Sequence, residues 1–70
     1  MSTLLLKHYA EHKAGPVTVA FWCEWEKHDG KRYCVGRRDS RYPDHERVYH
    51  YRLQASARRR YRREVSELST

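Results

Sequence analysis

The chain of 70 residues holds two cysteines, two prolines, three glycines and one methionine, and its only aliphatic run is Leu4-Leu5-Leu6. Each scarcity excludes something. Cys23 and Cys34 cannot build the disulfide framework of a small secreted domain, so a reduced, cytoplasmic protein is expected. With so few glycines there is no Gly-rich loop to cradle a nucleotide phosphate. Three leucines fall far short of the ~18 apolar residues of a membrane span, and of the apolar region of a signal peptide, so no membrane partner is expected. A chain this short buries only about 60% of the surface of its unfolded form, which leaves little volume for a water-excluding catalytic cavity. No serine or cysteine sits in a recognisable nucleophile elbow and the histidines are scattered. No catalytic residue and no cofactor are therefore expected.

What is abundant is arginine. The net charge is +6, and it is unevenly placed. From Met1 to Gly36 the basic and acidic residues nearly cancel, whereas Arg37–Arg63 carries ten arginines against Asp39, Asp44 and Glu46, a local net of +7. All ten are Arg, whose planar fork binds phosphate or carboxylate bidentately where Lys acts as a point charge. Arg37, Arg38, Arg41, Arg47, Arg52, Arg58, Arg59, Arg60, Arg62 and Arg63 are the candidate contacts to an anionic partner. Exposed aromatics beside them could stack on bases or anchor an interface, with Trp22, Trp25 and Tyr42 the candidates. Trp22 and Trp25 differ by an odd number, so in a strand they cannot face the same side.

The pattern predicts a single α+β domain over residues 1–70. Ser2 or Thr3 can cap a first helix over about 3–14, with Leu5/Tyr9 and Leu6/Ala10 four apart and Gly15-Pro16 as its stop; a short strand through Leu4–His8 competes. Residues 17–27 and 31–38, β-branched and aromatic, flank Asp29-Gly30, a strong hairpin signal whose type I′ turn needs positive φ at both central residues. Pro43 marks a loop, residues 46–53 alternate as a third strand, and Ala57, Tyr61, Val65 and Leu68 give an apolar stripe to a helix over 55–68. The expected fold is thus a three-stranded antiparallel sheet with an N-terminal helix and a basic C-terminal helix, in the order α-β-β-β-α.

In that last helix Arg58, Arg59 and Arg60 sit toward the positive end of the macrodipole, and Glu64 and Glu67 toward the negative end. Such an arrangement suits a helix whose N-terminal half meets an anion. No metal site is expected. The nearest approach to one is Cys23, Cys34, His45 and His50, whose spacing lacks the paired ligands two to four residues apart of a zinc knuckle.

Three resemblances can be drawn. Ala20-Phe21-Trp22 followed by Tyr33-Cys34-Val35-Gly36 resembles the opening hairpin of GIY-YIG nucleases; it would imply Tyr33 near the reacting water, Arg41 or Arg47 on phosphate, and Glu64 as metal ligand. The α-β-β-β-α order with Ser56-Ala57-Arg58-Arg59-Arg60 resembles the double-stranded-RNA-binding domain, which would place those arginines on backbone phosphates. Trp25 to Glu64 resembles the arm-binding domain of tyrosine recombinases, which reads DNA with its sheet. None of the three is named as the family of this chain. The function expected is nucleic-acid binding, DNA or RNA, through clustered arginines; the alternative is a phage-type inhibitor or accessory protein docking on an acidic protein surface.

Overall fold

The computed structural model describes residues 3–69. Its elements are β1 (Thr3–Ala14), β2 (Val17–Glu26), β3 (Gly30–Asp39), β4 (Arg47–Tyr51) and α1 (Gln54–Leu68). The strands form one antiparallel meander in the order β1-β2-β3-β4, so β1 and β4 are its edges. The expected three strands with an N-terminal helix are therefore corrected to four strands and one helix among the described residues. Ser2, one candidate cap, lies outside the described residues.

The physical reason is the pairing available to β2. With only β3 beside it, the strongly β-forming Val17–Glu26 would be an edge, and β1 instead satisfies its outer backbone groups from Thr3↔Glu26 to Ala14↔Val17. Two bulges, between Leu5 and Lys7 and between His8 and Ala10, break the strict period of two. That break left Leu5/Tyr9 and Leu6/Ala10 looking like a helix face. Gly15-Pro16 turns the hairpin rather than ending a helix: Gly15 has φ +60° and Pro16 follows, the pattern of a type II′ turn. Tertiary pairing outweighs the helix propensity of the segment, whose leucines, lysines, alanines and glutamate are good helix formers.

The β2–β3 hairpin forms where expected, with a different turn. Lys27, His28 and Asp29 make the loop, only Gly30 (φ +77°) takes positive φ, and Glu26 closes it by accepting from the backbone N–H groups of His28 and Asp29 at 2.9 and 2.8 Å. Asp29 does not adopt the positive φ of a type I′ turn.

The helix covers one face of the sheet. Val19, Phe21, Val35 and Ala57 are buried at its centre, with Tyr9, Tyr33, Tyr51, Tyr61, Val65 and Leu68 packed around them. Tyr9 stacks on Phe21 at 4.8 Å and Tyr61 tilts against it at 5.9 Å. Aromatic rings thus supply much of the apolar area packed around this small core. Among the described residues no helix covers the opposite face, which carries Thr18, Ala20, Trp22 and Glu24 from β2, Arg32, Cys34, Gly36 and Arg38 from β3, and Val48 and His50 from β4. No helix among the described residues is long and apolar enough to cross a membrane.

Candidate anion-binding surface and the open sheet face

The ten candidate arginines fall into separate groups. On α1, successive residues advance by 100°, so Arg58 and Arg62 share one flank while Arg59, Arg60 and Arg63 share another. Arg58 and Arg62 border a depression with Tyr9, Ala10, Phe21 and Tyr61, on the β1 side of the helix. Arg59, Arg60 and Arg63 border one of about 310 Å³ with Tyr51 and Ser56, on the β4 side. Tyr51 also lines the adjoining hollow with Lys31, Arg32, His50, Arg52 and Asp29. Arg37 and Arg47 flank His45 and Asp39 near the start of β4, and Arg38 lies on the open face beside Glu46 and Glu11.

Several of these charges are engaged inside the protein. Arg37 Nη1 donates to Glu64 Oε2 at 3.0 Å and to Glu67 Oε2 at 3.4 Å. Arg60 lies 3.8 Å from Glu64 and Arg63 3.7 Å from Glu67. Arg41 forks onto Asp39 at 2.8 and 3.1 Å, holding that carboxyl below its ordinary range. Arg38, Arg47, Arg52, Arg58, Arg59 and Arg62 make no ion pair among the described residues.

α1 begins at Gln54 with Leu53 as its cap residue, so Arg58–Arg60 lie beyond the first turn, where the dipole acts weakly. Glu64, 4% exposed, and its neighbour Glu67 are neutralised by Arg37 from β3. Their position at the negative end is thus met within the fold. Both oxygens of Glu64, the residue that the nuclease resemblance would make a metal ligand, face arginines.

Arg60 also donates to the Tyr51 hydroxyl at 2.9 Å and covers the Tyr49 ring at 4.4 Å. It is held by three partners, Glu64, Tyr51 and Tyr49. Tyr42, 56% exposed, sits in the β3–β4 loop under Arg41. Trp25 is 42% exposed on the helix side of β2, and Trp22 is half-buried on the open face.

That open face holds a polar cluster of which sequence reasoning named Trp22, Cys34 and His50 but not Glu24 or Arg32. Glu24 Oε1 accepts from Arg32 Nε at 2.7 Å, Oε2 accepts from Trp22 Nε1 at 3.1 Å, and His50 Nε2 lies 3.9 Å from Oε1. Burial works against ionisation of Glu24, but the bonds from Trp22, Arg32 and Cys34 outweigh it and hold the carboxyl below its ordinary range. Cys34, fully buried, has its thiol pushed up to about 12, first by burial and then by the Glu24 charge. Cys23 pairs with Tyr33 and Cys34 with Trp22, so the two cysteines of one hairpin face opposite sides of the sheet. Cys34 and His50 are direct cross-strand partners, while His45 stands in the loop before β4. Of the four zinc candidates the fold joins these two, and it adds Glu24. The signal was available: Glu24 follows Trp22 by two and therefore shares its face.

Comparison with known protein families, with curated proteins and with solved structures found no match.

Proposed function

We propose that this protein binds the phosphate backbone of nucleic acid along the β4 edge and the adjoining flank of α1. The observation that carries the reading is Tyr51, shared by two neighbouring hollows, one lined by Lys31, Arg32 and Arg52 and the other by Arg59, Arg60 and Arg63. Six cations border the two hollows, of which Arg32, Arg60 and Arg63 also pair with carboxylates of the fold, and among the described residues Asp29 is the only acid lining either hollow. Arg52 and Arg59 have no carboxylate partner among the described residues, so their forks are available to phosphate. Arg60 holds the Tyr51 hydroxyl and overlies Tyr49, which ties up both tyrosines and favours phosphate contact over base stacking.

The test is fluorescence anisotropy with duplex and single-stranded oligonucleotides of mixed sequence over a series of salt concentrations. Neutralising about four phosphates gives a log–log slope of about −4 on duplex DNA. A slope near zero, or no binding at low salt, overturns the reading.

A second reading, docking of an inhibitor or accessory type on an acidic protein surface, is favoured by a different observation. Leu4 and Trp25 are cross-strand partners and both are exposed, as is Leu5. An apolar anchor of this kind suits a protein interface. In that case the salt series fails, and protein purified gently at low salt shows no excess absorbance at 260 nm.

A further inference from the structure

We propose that Glu24, Cys34 and His50 form a binding site for a zinc-class divalent ion on the open face of the sheet. The inference does not rest on the nucleic-acid reading, although His50 and Arg32 also line the hollow that Tyr51 and Arg52 border. The three residues come from three adjacent strands: Cys34 and His50 face each other across β3 and β4, and Glu24 lies two residues along β2 from Trp22, the direct partner of Cys34. One donor atom from each, a carboxylate oxygen, the thiol sulfur and an imidazole nitrogen, lie within 4.8 Å of one another. A tetrahedral zinc with bonds of about 2.0–2.3 Å sets its ligand atoms about 3.3–3.8 Å apart. The site must therefore contract by about 1 Å. His50 Nε2 is already 3.9 Å from Glu24 Oε1, and its side chain is 45% exposed and free to rotate inward. Strand alternation holds the other two in place.

The donor set selects the ion. Thiolate with imidazole favours zinc and cobalt and disfavours magnesium and calcium, which demand oxygen. Binding replaces the thiol proton of Cys34 by the metal and releases that proton to solvent. Glu24 and the resulting thiolate then offset the ion's charge against the nearby Arg32 guanidinium. Arg32 and Trp22 each bond one Glu24 oxygen, the kind of outer hydrogen bonding that orients a ligating carboxylate. Three protein ligands leave the fourth position to water.

The test uses the full, reduced chain, stripped with a chelator and titrated with Co²⁺ alone and then with Zn²⁺. The expected result is one ion per chain, with a thiolate-to-cobalt charge-transfer band and intense tetrahedral visible bands that Zn²⁺ bleaches. Cys23→Ser retains these bands, Cys34→Ser loses the charge-transfer band, and His50→Ala weakens Zn²⁺ binding by about tenfold or more. Because His50 is exposed, that variant folds and carries the test even if Cys34→Ser does not. Absence of the charge-transfer band in the parent, its survival in Cys34→Ser, its loss in Cys23→Ser, or unchanged affinity in His50→Ala each overturns the site.

Discussion

Arg37 on β3 and Glu64 on α1 meet through an Nη1–Oε2 hydrogen bond of 3.0 Å where the helix crosses the sheet. Glu64 is buried and Arg37 is only partly exposed, so the pair sits between a surface ion pair and a core one. Breaking such a pair from one side leaves the buried Glu64 carboxylate with only the more distant Arg60, 3.8 Å away. Arg37→Met is therefore expected to cost about 2 kcal/mol, below the figure for a fully buried pair because water reaches the guanidinium. In the double variant Arg37→Met/Glu64→Leu part of that loss returns, since the buried carboxylate is gone, while Arg60 keeps the Tyr51 hydroxyl and Glu67 keeps Arg63. Urea denaturation of the four proteins of this cycle measures the coupling; independent, additive losses would show that the pair does not act as a unit.

Gly36 and Trp22 define a second contact. A Cβ built on Gly36 would lie 2.8 and 2.9 Å from two carbons of the Trp22 six-membered ring, closer than real contacts allow. The indole cannot simply swing away, because its Nε1 donates to Glu24. Gly36→Ala is expected to cost about 1–2 kcal/mol, as overpacking does elsewhere, and to release Trp22 from Glu24. Near-ultraviolet circular dichroism reads the loss of the fixed indole. Adding Trp22→Leu removes the clash, so the double variant regains stability relative to Gly36→Ala.

How far the fold was legible follows from these same residues. β2, β3, β4 and α1 announce themselves because their apolar residues repeat with one period each, and the observed ends fall within two residues of the expected ones. β1 does not, because its two bulges shift the period and leave pairs four apart that fit a helix equally well. Glu64 looks like a poorly placed helix-end acid until its partner, 27 residues away, is known. The arginines look like one cluster along the chain, yet the helical rotation sends Arg58 and Arg62 to one flank and Arg59 and Arg63 to the other. Glu24 becomes legible only when the face it shares with Trp22 is joined to the face that Cys34 and His50 occupy.

Tyr61 supplies a pH dependence. Packed against Phe21 and facing the Glu11 charge, its hydroxyl titrates above the ordinary tyrosine value, chiefly because burial opposes the phenolate. The unfolded chain then loses this proton at lower pH than the folded one. Its contribution to stability is complete below pH about 10 and is lost as pH rises from there through the raised folded value. Cys34 acts in the same direction from about pH 9 upward. Chemical denaturation of chelator-treated protein between pH 8 and 11 should show falling stability, with a shallower fall in Tyr61→Phe. An identical fall in both proteins would remove Tyr61 from the account.

The two flanks of α1 allow the binding reading to be localised with charge held constant. Arg52→Glu/Arg59→Glu and Arg58→Glu/Arg62→Glu change the net charge equally, and all four arginines lack a carboxylate partner among the described residues. General attraction to a polyanion responds to the total charge, whereas a phosphate track responds to the groups that line it. Arg52 and Arg59 border the hollows that share Tyr51, while Arg58 and Arg62 lie across the helix beside Tyr9. The first variant should lose binding by about a hundredfold at moderate salt and flatten the log–log slope by about two, one for each phosphate contact removed. The second should weaken binding several-fold and leave the slope close to that of the parent. Exposed side chains carry these changes, so unfolding midpoints should stay near the parent's and separate lost affinity from lost structure. Equal losses in the two variants would mean that the nucleic acid feels only the overall field, and the β4 edge would cease to be its track.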